Sequence, residues 1–250
     1  PVRGGIMGQR DLGSIKAVDS VSFTVRRGET LGMVGESGCG KSTTGLAILR
    51  MVDITGGSII LDGQDITNLS SAELRPMRRQ MQMVFQDPHS SLNARLPVEA
   101  TVAFGPIVHG VSRPEARERA RRLLYDVGLD ASRFMKRYPH ELSGGQRQRV
   151  NVARALALQP RVLILDEAVS ALDKSVEAQV LNLLLDLKKE YDLTYVFISH
   201  DLNVVQYVSD RALVMYLGQV VEIGPVDEIY ANPRHPYTRA LLSSRPSMDP

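Results

Sequence analysis

The chain has 250 residues, 43% of them hydrophobic and 23% charged, with a formal net charge of +2. Such values fit one large globular domain, or a core with a smaller subdomain, and give no electrostatic reason to invoke nucleic acid as a partner. A single cysteine, Cys39, excludes an internal disulfide and fits a reducing compartment. No apolar run approaches the roughly 18 residues of a membrane span and no signal peptide is visible, so any membrane association is expected to run through a partner. Pro1 in place of a starting methionine suggests a piece of a longer chain.

Residues 17–26 alternate apolar and polar and predict a half-buried strand. Arg27-Gly28-Glu29 turns that strand into a short buried one at 31–34. Then comes Gly35-Glu36-Ser37-Gly38-Cys39-Gly40-Lys41-Ser42-Thr43, which fits G-x-x-x-x-G-K-[ST], followed by an apolar helical pattern over 44–51. Strand, glycine-rich loop and helix are the context that motif requires. The glycines let successive N–H groups turn inward as a nest for phosphate oxygens, and the helix adds its positive end. Lys41 is placed to reach β- and γ-phosphates, and the Ser42 hydroxyl to hold Mg²⁺. Cys39 sits in the nest near a helix N-terminus, which predicts a reactive thiol that nucleotide protects, against the alternative of a buried, inert one.

The β-branched run at 58–61 ends at Asp62-Gly63, a hairpin-type turn, so the early region predicts a small antiparallel β-layer. A basic, solvated helix is expected over 70–79 and a buried strand over 81–85, ending at Gln86-Asp87-Pro88. Residues 89–157 lack strand patterning and read as a mostly helical insertion. Ser112-Arg113-Pro114-Glu115 reads as a capping box with Pro114 in the first turn. The helix it opens has Ala116, Ala120, Leu123, Leu124 and Val127 on one face, and Gly128 ends it. Its arginines at 117, 119, 121 and 122 alternate with Glu115, Glu118 and Asp126, so a solvated face is preferred to a nucleic-acid patch.

Ser143-Gly144-Gly145-Gln146-Arg147-Gln148-Arg149 starts another helix, with Ser143 as N-cap. Two glycines there leave N–H groups open, a second anion cradle. One nucleotide does not need two cradles in one subunit, so the second is expected to serve the nucleotide of another subunit across a two-fold interface.

After Pro160 the pattern is α/β again. An apolar strand at 162–165 ends in Asp166-Glu167, a helix follows over 176–191, and a second apolar strand at 194–198 runs into Ser199-His200-Asp201. Residues 212–216 and 219–223 form a hairpin about Leu217-Gly218. Strands alternating with helices imply a largely parallel sheet covered on both faces, with ligands at the carboxyl ends of its strands. Asp166 is placed to complete the Mg²⁺ shell, and Glu167 to polarise an attacking water.

The order GESGCGKST, Gln86, LSGGQRQRV, VLILDE, SALD and His200 resembles the ATP-binding cassette (ABC) transporter ATPases over essentially the whole chain. The resemblance implies an α/β P-loop ATPase fold with a mostly parallel sheet, an N-terminal antiparallel β-layer and a helical subdomain. It implies a nucleotide-binding core over 1–88 and 158–250, with the helical subdomain at 89–157 carrying the signature. ATP is expected on Gly35, Ser37, Gly38, Cys39, Gly40, Lys41, Ser42, Thr43 and Gln86, and Mg²⁺ on Ser42, Gln86 and Asp166. Glu167 and His200 are the expected catalytic pair, with His200 on the γ-phosphate. Ser143, Gly144, Gly145 and Gln146 close on the opposite nucleotide, and Asp173 communicates across the dimer. Such ATPases usually stack an aromatic residue on the adenine a little over twenty residues before the phosphate loop. Here that neighbourhood holds Leu12 and Ile15, so an aliphatic base contact is expected instead.

CGKSTTG, FQDPHSSLNAR, DEAVSALDKSVEAQVL and NPRHPYTRALL resemble the oligopeptide, dipeptide and nickel importer branch, the second ATPase of the pair more closely. Ala168-Val169 replaces a common Pro-Thr, as this branch often does. The implied function is MgATP-driven closure of two cassettes powering peptide import. The implied partners are a second cassette, two permeases and an extracytoplasmic binding protein, with the subunit peripheral on the cytoplasmic face of the membrane. A nickel importer, or a non-transport ATPase of DNA repair or translation, is the alternative. The reading covers a separate subunit and one cassette of a fused subunit alike.

Overall fold

Four apolar runs scattered along the sequence become neighbours in one sheet. The computed structural model describes residues 3–4, 10–11 and 16–244. Two short strands, β1 (Arg3–Gly4) and β2 (Arg10–Asp11), pair antiparallel. Then follow β3 (Thr30–Val34), α1 (Lys41–Ile48), the hairpin β4 (Ile60–Leu61) and β5 (Gln64–Asp65), α2 (Ser71–Gln80) and β6 (Met81–Val84). A helical stretch comes next: α3 (Pro88–Ser91), α4 (Val98–Val108), α5 (Arg113–Asp126), α6 (Ala131–Phe134), a 3₁₀ turn at Pro139–Glu141 and α7 (Gly144–Leu156). The chain returns to alternation with β7 (Val162–Asp166), α8 (Lys174–Glu190), β8 (Thr194–Ile198), α9 (Leu202–Val208), β9 (Arg211–Tyr216) and β10 (Gln219–Pro225). It closes with α10 (Val226–Ala231) and α11 (Pro236–Ser243).

The main sheet runs β10-β9-β3-β8-β7-β6, parallel throughout except for the β9–β10 hairpin. Its parallel strands are largely apolar on both faces, as a doubly covered sheet requires, and the period of two sorts them, whereas the edge strand β10 is only partly covered. Leu31, Met33, Ile164, Val196, Ile198, Leu213 and Met215 face one core, shared with Leu49 of the loop after α1 and Leu74 of α2. Val34, Leu163, Leu165, Tyr195, Phe197 and Val214 face the other, which continues into α4, α5, α7, α8 and α9. The signature helix α7 is therefore tied to the sheet by a continuous apolar contact.

Residues 17–26 hold no place in a ladder, although a strand was expected. Their alternation survives as burial: Val21, Phe23 and Val25 are half-buried against the first core, and their neighbours face out. Alternation reports which side chains meet a core, whereas a ladder also needs a neighbouring edge to pair with. The antiparallel layer is accordingly small, made of short hairpin strands. Between β6 and β7 no strand occurs among the described residues, as expected for 89–157.

The expected capping box at α5 is only half present. Ser112 Oγ accepts from the Glu115 N–H at 3.4 Å, but the Glu115 carboxylate accepts from Arg119 at 3.2 Å instead of reaching back. Complete boxes close α2, through Ser70 and Glu73, and α7, through Ser143 and Gln146. The α5 arginines meet carboxylates, Arg117 on Glu99 at 2.8 Å, Arg119 on Glu115 at 3.2 Å and Arg121 on Glu118 at 3.3 Å. Arg117, Arg121 and Arg122 are exposed, as the sequence predicts, whereas Arg119 folds inward and donates to the Ala157 carbonyl at 3.1 Å.

Candidate functional site

Four neighbouring parallel strands, β3, β8, β7 and β6, end on the same side of the sheet, and each delivers one part of the site. The phosphate loop follows β3, His200 follows β8, Asp166 and Glu167 end β7, and Gln86 follows β6. This is the carboxyl edge where open α/β sheets bind ligands.

The loop has the shape its glycines allow. Gly35, Gly38 and Gly40 have φ of 151°, 81° and 108°. A Cβ on Gly35 would lie 2.3 Å from the Met215 carbonyl oxygen, and one on Gly40 2.3 Å from that of Ala17. No side chain fits at either position. Lys41 is 5% exposed, and its ammonium donates to the carbonyls of Gly35 at 2.7 Å and Glu36 at 2.9 Å. The loop thus holds the cation over its own nest. Ser37 and Gly38 lie on the exposed lip of the loop, and Thr43 falls in the first turn of α1.

Cys39 differs from the expectation of a reactive thiol. It is 5% exposed and belongs to the core under the sheet, and a Cβ on Gly35 would lie 2.8 Å from its Sγ. The thiol is enclosed between that packing and the Lys41 ammonium, 3.8 Å from its Sγ, which leaves no path for a reagent. Maleimide should therefore label native protein slowly, equally with and without MgATP, and rapidly after denaturation. Fast labelling that nucleotide suppresses, followed by mass spectrometry, would restore the exposed thiol.

Ser42 Oγ donates to Asp166 Oδ1 at 2.9 Å, bridging α1 and β7 across β8. Asp166 is 6% exposed, and burial pushes its carboxyl above the usual carboxylate range. The Ser42 hydrogen bond opposes that push and the neighbouring Glu167 adds to it. Two converging hard oxygen donors at the mouth of a phosphate nest fit Mg²⁺, which favours carboxylate and hydroxyl oxygens beside substrate phosphates.

Glu167 sits at φ 46°, left-handed backbone that a residue with a side chain adopts at a cost of about 1–3 kcal/mol. The strain is held from both sides. Its N–H donates to the Ile198 carbonyl at 2.9 Å, and its own carbonyl accepts from the Ser170 N–H at 3.1 Å and hydroxyl at 2.9 Å. Its carboxylate Oε2 takes Gln86 Nε2 at 2.7 Å and lies 3.2 Å from His200 Nδ1. Residues 86, 167 and 200, far apart in sequence, thus converge on one carboxylate oxygen.

Ser143, Gly144, Gly145 and Gln146 form a second group at the start of α7. Ser143 Oγ accepts from the Gln146 N–H at 3.3 Å, and Gln146 Oε1 accepts from the Ser143 N–H at 3.0 Å. A Cβ on Gly145 would lie 2.5 Å from Val176 Cγ1, so that glycine lets α7 seat against α8. Asp173 is exposed at the N-cap position of α8, without a side-chain cap bond. Beside it, Lys174 bridges Glu177 and Asp201, each at 3.0 Å. Asp201 is held below the usual range although burial pushes it up, because Lys174 and the N–H groups of Asn203 and Val204 bind the ionised form. Sequence reading missed this link. Its only trace was an aspartate directly after His200 and a lysine directly after Asp173. Leu12 and Ile15, the expected base contacts, lie outside the described residues.

The family profile described as ABC transporter matches residues 18–170. This chain belongs to the ABC transporter family. A second profile, the oligopeptide/dipeptide transporter C-terminal region, matches residues 221–250 of this ABC protein. The chain is 53% identical over 248 residues to the oligopeptide transport ATP-binding protein AppF of Bacillus subtilis, covering 98% of this chain and 75% of the relative. It is 51% identical to the glutathione import ATP-binding protein GsiA of Pectobacterium atrosepticum, all of this chain matching 40% of that longer protein. Among solved structures, the dimeric post-hydrolysis state of the ATP-binding cassette MJ0796 bound to ADP and Pi superimposes with a TM-score of 0.78 at 31% identity, covering 87% of this chain and 94% of that one. The fold is that of an α/β P-loop ATPase, and the chain is an ABC ATPase.

Proposed function

We propose that this chain is the ATP-binding subunit, or one cassette of a fused subunit, that powers peptide import through an ABC transporter. The observation that carries the reading is the pairing of an oligopeptide-transporter C-terminal region at 221–250 with 53% identity to an oligopeptide transport ATPase. These relatives favour peptides over nickel, and transport over DNA repair or translation.

In this reading residues 1–88 and 158–250 form the nucleotide-binding core and 89–157 the helical subdomain. Gly35, Ser37, Gly38, Cys39, Gly40, Lys41, Ser42 and Thr43 hold the phosphates of ATP. Ser42 and Asp166, with Gln86, hold Mg²⁺, which when bound offsets phosphate charge. Glu167 orients and polarises water, and His200, beside it, steadies the γ-phosphate end. The work is positioning and charge stabilisation in a site whose groups are already in place. Ser143, Gly144, Gly145 and Gln146 face the nucleotide of a second cassette, with the open N–H groups supplied by Gly144 and Gly145 between the two capping-box residues and Asp173 at that interface. The dimeric state of MJ0796 supports such closure.

Two permeases and an extracytoplasmic binding protein complete the complex, and the subunit lies on the cytoplasmic face of the membrane. No helix among the described residues is long and apolar enough to cross a bilayer. A groove beside β6, lined by Met51, Met83, Phe85 and Phe104 together with Arg78 and Arg154, suits a helix of a permease. Phe104 and Met51 are exposed there, which a protein surface rarely leaves uncovered when they cluster.

The test is ATP hydrolysis by the complex assembled in lipid vesicles with permeases and a binding protein. Peptide-loaded binding protein should stimulate turnover severalfold. Stimulation by nickel alone would move the substrate to the metal branch. Failure to co-purify with integral membrane subunits would count against transport.

A further inference from the structure

The C-terminal NPRHPYTRALL stretch matches a transporter-specific region, yet the ATPase chemistry leaves it without a task. Its Tyr237, in the first turn of α11, accepts the Glu36 N–H on its hydroxyl at 3.0 Å. The peptide unit concerned joins Gly35 to Glu36, and its other end is the Gly35 carbonyl that accepts from Lys41 Nζ at 2.7 Å. One peptide plane is thus held at both ends, by Tyr237 at the N–H and by Lys41 at the oxygen. That plane follows Gly35, which has no Cβ to restrict the rotation about its Cα–C bond that sets the plane.

Tyr237 is itself fixed. Its ring packs against Tyr216 at the end of β9, with centroids 4.3 Å apart. Its N–H donates to His235 Nδ1 at 3.2 Å. Glu222 of β10 accepts the N–H groups of Arg234 at 2.9 Å and His235 at 3.0 Å, which anchors the segment to the sheet. The β9–β10 turn meanwhile grips the loop from beneath, with the Gly218 N–H on the Cys39 carbonyl at 2.9 Å.

We propose that Tyr237 is a positioning residue for the reaction: its hydroxyl fixes the Gly35–Glu36 peptide so that the Gly35 carbonyl aims the Lys41 ammonium at the phosphates. Accepting the N–H also polarises that peptide, which makes its oxygen a better acceptor for Lys41. The C-terminal region thereby becomes a structural part of the nucleotide site. This inference rests on the reading of Lys41 as the phosphate-binding lysine.

Tyr237→Phe deletes only the hydroxyl and keeps the ring against Tyr216. In the assembled complex its KM for MgATP should rise about threefold to tenfold, the worth of one hydrogen bond, because a less firmly aimed Lys41 weakens nucleotide binding while the ammonium itself stays in the site for the reaction. Its kcat and its Tm without nucleotide should match wild type. Tyr237→Ala should raise KM further and also lower Tm, since the ring is lost. A wild-type KM in Tyr237→Phe, or a rise that only accompanies a lower Tm, would overturn the proposal. Failure of the wild-type complex to saturate with MgATP would instead count against the nucleotide reading itself.

Discussion

Lys41→Ala should abolish ATP hydrolysis and weaken MgATP binding by on the order of a hundredfold, as expected when charge-assisted hydrogen bonds worth about 1.5–3 kcal/mol each are lost. The size follows from where the ammonium sits. It is 5% exposed, held by the Gly35 and Glu36 carbonyls and 3.8 Å from the Cys39 Sγ. Water reaches such a position poorly, so the phosphate charge would go without its partner in a site of low dielectric. The fold should survive, because alanine favours helix at the start of α1 and the tight approaches of Gly35 to Met215 and Gly40 to Ala17 do not involve the lysine. Titration with a fluorescent ATP analogue and phosphate release from the assembled complex give the two readouts. Turnover at the wild-type rate would remove Lys41 from its role. A fall in Tm by many degrees would show that the lysine supports the fold instead.

The parts of this site that the sequence declares are those carried by local chemistry. GESGCGKST sets its own backbone, because positive φ at three positions needs glycine and the following helix needs an N-terminus. VLILDE shows its buried strand by composition and its carboxylates by position. Helices with an apolar face, such as α5 and α8, are legible because their period is local. Less legible were features made by the meeting of distant segments. That Gln86 and His200 both lie on Glu167 Oε2 depends on strand order β8-β7-β6, which no periodicity encodes. The inward turn of Cys39 depends on the core under β3, and the sequence showed only its neighbours in the loop. The failure of 17–26 to join a ladder has the same origin, since its alternation matches its burial but no sheet edge lies in register to pair with it. The left-handed backbone at Glu167 had no signal at all, because that conformation is imposed by Ile198 and Ser170 on a residue that does not favour it.

Glu167→Gln should keep nucleotide binding and lower kcat by about 10²–10⁴, the usual worth of a positioned general base. The substitution is close to isosteric where it matters. The carboxylate oxygen that now accepts from Gln86 and approaches His200 has a counterpart in the amide oxygen, and the side chain is only 15% exposed, so neighbours hold its rotamer. The backbone at φ 46° is no more costly for glutamine than for glutamate, so stability should change little. What disappears is the negative charge and the lone pair that take a proton from water as it attacks. Binding residues Lys41, Ser42 and Asp166 remain, so MgATP should still draw two cassettes together, and without cleavage the closed arrangement should persist. The assembled complex incubated with MgATP and passed through size-exclusion chromatography should then retain nucleotide as ATP, where the wild type retains ADP or none. Because closure uses both sites, one variant cassette paired with a wild-type one should already slow release. Wild-type turnover in Glu167→Gln would move the base to another group. A variant that neither turns over nor retains ATP would place Glu167 in binding, through Gln86 and the Mg²⁺ ligands, and not in the attack of water.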